Sequence, residues 1–179
     1  MDHLTDSDKL KLLETSIVGE PGEPFIIDST EQCRVASINM ARQAMRTIHI
    51  YSHSLDDRVY NNHEFVSALT TLATSSRHAQ IQILVRDTNP IIQHGHQVIE
   101  VMRRLTSFIQ MRKVCEESME YSQAFMIVDE RGLILHRVAT RYEGVVKFHE
   151  PMECRELLKH FHEVWRKSEP DPKLRRLHI

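Results

Sequence analysis

The sequence is poor in the residues that punctuate or crosslink a chain. Its 179 residues include 5 glycines, 6 prolines and 3 cysteines. So little Gly and Pro leaves no room for low-complexity linkers, and no internal repeat is present. Cys33, Cys115 and Cys154 are isolated and odd in number, which excludes a disulfide framework and a paired-cysteine metal knuckle. A reducing, cytoplasmic location is the expectation. No apolar run approaches the roughly 20 residues that cross a bilayer. The start, Met1-Asp2-His3-Leu4-Thr5-Asp6, lacks the basic and apolar regions of a signal peptide. Neither sign of charge dominates, since 23 Lys and Arg face 25 Asp and Glu for a net charge of -2. That balance argues against a dedicated nucleic-acid binder driven by counterion release. It leaves local basic patches at Arg103-Arg104 with Arg112-Lys113, and at Lys173-Leu174-Arg175-Arg176, which read first as solvated surface.

What is present is ordinary globular material, 41% apolar and 27% charged. A chain of this length makes one domain that buries roughly 70% of its unfolded surface. Residues 1–23 read as a polar leader closed by Gly19-Glu20-Pro21-Gly22-Glu23-Pro24, with room for one small helix around Leu4, Leu10 and Leu13. Residues 24–168 form the domain and residues 169–179 a basic tail.

Within the domain, Phe25 to Asp28 reads as a strand, and Ser29-Thr30 supplies a helix N-cap ahead of Val35, Ile38, Ala41 and Met45 at helical spacing. Thr47 to Ser54 is a second strand. A long polar connection, Ser52 to Glu64, precedes a helix marked by Phe65, Ala68, Leu69 and Leu72, with Asn62 as its cap. Ala79 to Asp87 is a third strand, Val98 to Leu105 an amphipathic helix, and Phe108 to Arg112 a fourth strand. Ala124–Val128 and Leu133–Val138 flank Glu130-Arg131-Gly132, a hairpin connection, and Val145 to Phe148 is a last short strand. Cys154, Leu157, Leu158, Phe161 and Trp165 line a closing helix, with His160 and His162 expected to face solvent. The order predicts an α/β fold: a mixed, largely parallel sheet with helices on both faces.

The most informative stretch is Ser122-Gln123-Ala124-Phe125-Met126-Ile127-Val128-Asp129, a buried strand that delivers an aspartate. It resembles the signature of the phospholipase D superfamily, His-x-Lys-x(4)-Asp, with Asp129 kept, Ser122 in the histidine position and Ala124 in the lysine position. The pattern Arg77 to Asp87 and the closing Phe161-x-x-x-Trp165 extend the similarity over about Phe25 to Trp165. Small proteobacterial proteins of this kind, some attached to acetyltransferases, are the most similar. The family's Gly-Ser-x-x-Asn cluster after the hairpin is replaced by Arg137-Val138-Ala139-Thr140-Arg141-Tyr142-Glu143.

The resemblance implies a nucleophilic imidazole and an ammonium that this chain lacks in those positions. No catalytic residue, metal or cofactor is therefore assigned. The expected function is a binding module for a phosphate-bearing or other anionic ligand, a small molecule or nucleic acid. The alternatives are a phosphodiesterase or nuclease using displaced residues, and a protein-interaction subunit, for example of an acetyltransferase. A homodimer with its axis near Asp129 is expected, because superfamily sites pair two signature segments.

In open α/β sheets ligands sit outside the carboxyl ends of strands. The ligand-binding candidates are therefore His53, Arg86, Asp87, Arg112 and Asp129, with His94 and His96 from the loop after the third strand, and Arg137 and Arg141 after the hairpin. His94-Gly95-His96 also admits a divalent metal, but no third ligand is fixed by spacing. His53, His94 or His96 could replace the missing histidine, with Arg86, Arg112 or Arg137 in place of the lysine.

Overall fold

The computed structural model describes residues 5–175. Leu4 of the expected leader helix and Arg176 of the basic tail lie outside them. Seven strands form one mixed sheet in the order β1-β7-β6-β5-β2-β3-β4. The strands are β1 (Phe25–Ile27), β2 (Thr47–Ser52), β3 (Gln80–Val85), β4 (Ile109–Lys113), β5 (Ala124–Val128), β6 (Gly132–His136) and β7 (Gly144–Lys147). The helices are α1 (Asp6–Thr15), α2 (Thr30–Gln43), α3 (Asp57–Tyr60), α4 (His63–Ser75), α5 (Asn89–His94), α6 (Gln97–Arg104) and α7 (Pro151–Lys167).

The sheet is mixed and flanked on both faces, but it is not largely parallel. Only β2–β3 and β3–β4 run parallel, whereas β2–β5, β5–β6, β6–β7 and β1–β7 are antiparallel. The cause lies in the connections. Helical crossovers return the chain to the end it left and give the parallel half. From β4 to β5, and onward through β6 and β7, no such crossover intervenes, so each strand starts at the end where its predecessor stopped.

Alternation along the strands splits the core in two. Ile48, Ile50, Ile83, Met126, Val128 and Ile134 pack under α1, α2, α4 and α6. Tyr51, Leu84, Phe125, Ile127 and Leu133 pack under α7 through Cys154, Leu158, Phe161, Val164 and Trp165. Because β5 is buried on every residue, its sequence is an unbroken apolar run. Ser29 and Asn62 cap α2 and α4, accepting from Gln32 N and Phe65 N. The leader helix α1 packs against α2 and buries Leu13. After α7 the chain turns back onto β4, where Lys113 N donates to Glu169 O at 2.9 Å and Leu174 is buried.

Candidate ligand-binding cleft

Strand direction decides which side chains can meet. Since β5 is antiparallel to β2, with Tyr51 opposite Phe125 and Ile48 opposite Val128, Ala124 lies at the carboxyl end of β2 and Asp129 at its amino end. Five steps of strand separate the two, about 17 Å. The carboxyl ends of β2, β3 and β6 and the amino ends of β5 and β7 therefore gather at one end of the sheet.

A cleft of about 220 Å³ opens there, walled by Ser52, His53, Ser54, Asp56 and Arg58 on one side and by His136, Thr140, Arg141 and Tyr142 on the other, with Cys33 and Ala124 also lining it. The polar connection after β2 supplies the first wall. It folds tightly: Leu55 is buried and takes φ +54, a left-handed conformation that is costly for a branched apolar residue, and its N–H donates to Ser52 Oγ at 3.0 Å. Asp56 then caps α3 by accepting from Arg58 N at 2.8 Å. The two walls are strapped together, because the Tyr142 hydroxyl bonds both the Asp56 carboxylate and the Arg58 guanidinium. The Arg58 guanidinium also sits 5.2 Å from the centre of the Tyr142 ring.

His136 ends β6 directly opposite Ala124 in register. It is buried, and its Nε2 lies 3.5 Å from Cys33 Sγ at the start of α2. Burial lowers the His136 pKa and pushes the Cys33 thiol up to about 12. Near neutral pH both groups are uncharged, so this is a neutral thiol–imidazole contact and not a thiolate–imidazolium nucleophile. Gly144 makes the seat for this imidazole: a Cβ there would stand 2.8 Å from His136 Nδ1 and 2.6 Å from the Leu135 carbonyl oxygen. His53 is half-buried, and its Nδ1 is enclosed without a hydrogen-bond partner among the described residues.

Of the residues singled out from the sequence, the structure brings His53 and Arg141 into this cleft. Arg137 is exposed and lines a neighbouring hollow with Arg141 over β6 and β7. Arg86 and Arg112 are committed elsewhere. Arg86 Nη1 donates to the carbonyls of Met119 and Tyr121 at 3.0 and 2.6 Å. Arg112 donates to those of Trp165 and Ser168 and stacks 4.4 Å from the centre of the Trp165 ring. Asp87 accepts from Asn89 N at 3.0 Å, at the start of α5.

His96 is buried as the cap of α6, accepting from Val98 N at 3.2 Å, and exposed His94 meets the Pro90 carbonyl at 3.1 Å. Neither reaches the cleft, and no group of three or more His, Cys, Asp or Glu fit for a metal occurs among the described residues. Asp129 stands at the opposite end of the sheet, where its carboxylate accepts from the backbone N–H groups of Met45, Arg46 and Thr47 at 2.7–2.8 Å. A dimer axis beside Asp129 would therefore pair that end of the sheet and not the clefts. His160 is half-buried against Tyr121, with ring centroids 4.1 Å apart, while His162 is exposed.

Sequence reasoning missed His136, Cys33 and Tyr142, and it placed Arg58 over the cleft only as part of the long connection after β2, without singling it out. His136 had one visible signal, as the single polar residue closing the apolar run Gly132 to Leu135. Cys33 had none, since it falls on the apolar stripe of α2.

A family model covers residues 29–177. The chain belongs to the family described as Domain of unknown function (DUF7931). None of the curated proteins matches it. Solved structures share the fold of this family member. Nuc from Salmonella typhimurium, a phospholipase D family member, is 16% identical with a TM-score of 0.55 over 82% of this chain and 97% of its own. NucT from Helicobacter pylori is 12% identical, with a TM-score of 0.58 over 83% and 98%. TrmBL2, an archaeal chromatin protein, is 16% identical, with a TM-score of 0.59 over 90% of this chain; the chain spans 58% of that protein. The fold is thus phospholipase D-like. No helix among the described residues is long and apolar enough to cross a membrane.

Proposed function

We propose that the cleft binds a phosphate-bearing ligand and does not hydrolyse it. The observation that carries this reading is the composition of the walls around Ala124. Where the phospholipase D resemblance calls for a lysine, a methyl group lines the cleft, while Arg58, Arg141, Ser52, Ser54, Thr140 and His53 offer donors around it. Asp56 is the one carboxylate among the lining residues, and the Tyr142 hydroxyl and the Arg58 guanidinium already engage it. Such a wall suits an anion held by guanidinium and hydroxyl groups. Turnover needs more: a nucleophile with a cation beside the transferred phosphoryl group. The nitrogens of His136 are occupied or enclosed, Nε2 facing Cys33 Sγ at 3.5 Å and Nδ1 buried, and no lysine lines the cleft. The names of the proteins that share the fold, a phospholipase D family member and a chromatin protein described for its mode of DNA binding, support a phosphodiester as the ligand class.

The rival reading is a phosphodiesterase in which His136 replaces the missing histidine, favoured by its place beside Ala124. One experiment separates the two. With millimolar bis(p-nitrophenyl) phosphate, the melting temperature is expected to rise by mass action, and the rise to shrink in Arg141→Ala. No p-nitrophenolate is expected to form. Release of p-nitrophenolate that disappears in His136→Ala would establish the rival, and absence of any thermal shift would remove the binding site.

A further inference from the structure

At the end of the sheet opposite the cleft, three arginines from three separate elements converge on one hollow of about 540 Å³. Arg46 precedes β2, Arg131 lies in the β5–β6 turn, and Arg155 is in the first turns of α7. All three are exposed, and none forms an ion pair among the described residues. Several other guanidiniums are used, since Arg34, Arg42 and Arg58 pair with carboxylates and Arg86 and Arg112 bind carbonyls; what sets Arg46, Arg131 and Arg155 apart is that they converge on one hollow. We propose that this hollow binds single-stranded nucleic acid, with backbone phosphates on Arg46, Arg131 and Arg155 and a base against Met45.

The neighbouring acids do not quench the three cations. Asp129 keeps its charge but is tied to three backbone N–H groups and pairs with none of the three arginines. Glu150 and Glu153, at the start of α7, are both held by Lys147, at 3.1 and 2.5 Å. Only Glu130 is left to compete within the lining. α7 opens here with Pro151, and Glu150 provides no side-chain cap, so the first N–H groups of this 17-residue helix add to the positive potential.

The choice of a nucleic acid over an acidic peptide rests on the apolar part of the hollow. Met45 lines it at 76% exposure, and Met152, next to Pro151, is 75% exposed. Planar guanidinium forks match phosphate oxygens in bidentate geometry. A thioether makes favourable contacts with aromatic rings, which a base presents and a run of carboxylates does not. Because a base must leave its stack to reach Met45, the ligand is single-stranded. This site is independent of the cleft, and either can fail without the other.

Fluorescence anisotropy of a labelled oligothymidylate of about 12 nucleotides, at low salt, tests the assignment with the whole chain. Wild type is expected to bind, with an affinity that falls with salt. The Arg46→Ala/Arg131→Ala/Arg155→Ala variant is expected to lose at least about tenfold in affinity. Its log–log salt slope should become shallower by about 2, as three fewer phosphate contacts on a single strand require. The single variant Arg155→Ala should weaken binding, while Arg166→Ala, one cation removed near the far end of the same helix, should not. Met45→Ser should weaken oligothymidylate binding and leave inorganic polyphosphate binding unchanged. No binding by wild type, unchanged binding by the triple variant, or displacement by polyglutamate at equal charge would each overturn the proposal.

Discussion

His49 shows how one buried side chain couples this fold to pH. It lies in β2 with its ring 5.1 Å from Phe161 and 5.3 Å from His162, and neither ring nitrogen has a hydrogen-bond partner among the described residues. Burial first, and the neighbouring His162 second, lower its pKa to about 4. In the unfolded chain the imidazole takes its proton near pH 6.5. Between these values the unfolded state holds more protons, so stability falls as the pH drops from about 6.5 toward 4. His96, His136 and His160 are shifted in the same direction and add to the fall. For His49 alone the loss between pH 7 and pH 5 is on the order of 2 kcal/mol. Urea unfolding at the two pH values is expected to show His49→Leu losing less stability than wild type by about that amount. Equal losses would mean the imidazole is not shielded as the structure shows. At this scale the sequence revealed residue types and hid their surroundings. His49 reads as one letter of a β-rich strand, and only its place beneath α7 gives it a chemical consequence.

The strands and the longer helices were legible, because each carries its own signal, whereas the short helices α3 and α5 fall in stretches that read as connections. Alternating polar and apolar residues mark β2 and the start of β3, although the structure buries both strands on both faces; an unbroken apolar run marks β5, and caps at Ser29 and Asn62 open α2 and α4. Strand direction was not legible, and it is what misplaced Asp129. A residue at the end of a strand belongs to the cleft or to the opposite end according to which way the strand runs, and β5 runs against β2. In its actual position Asp129 ties elements together. Its carboxylate fastens the start of β2 to the β5–β6 turn, where Asp129 and Glu130 both adopt positive φ. Aspartate tolerates that conformation better than most side chains. Asp129→Ala removes three charge-assisted acceptor contacts, partly replaceable by water at this half-buried site, and should cost roughly 1–3 kcal/mol. Asp129→Asn keeps one acceptor and the turn preference and should cost less. Binding at the distant cleft should be untouched by either. Denaturant unfolding and ligand titration of the same two variants check both statements, and a loss of cleft binding without a loss of stability would contradict them.

For the whole molecule, the sheet carries a proposed site at each end. The phospholipase D-like fold was readable from the order of elements and the altered signature segment, because that order does not depend on any single side chain of the signature. The cleft was only partly readable. Its walls come from the chain after β2, the β6–β7 connection and the start of α2, which lie far apart in sequence and meet only through the antiparallel register of β5 and β6. His53 and Arg141 were singled out because they follow strand ends; His136 was missed because the strand was expected to run on to Val138, which placed His136 in its interior, whereas β6 ends at His136. Nuclear magnetic resonance of the imidazole side chains tests most directly whether a phosphate-bearing ligand occupies this cleft. On titration with bis(p-nitrophenyl) phosphate, the ring signals of His53 and His136 should move together along one binding curve, while those of exposed His78 and His94 stay in place and the ligand remains intact. Movement confined to His78 or His94, or no movement of His53 and His136 at saturating ligand, would contradict the account.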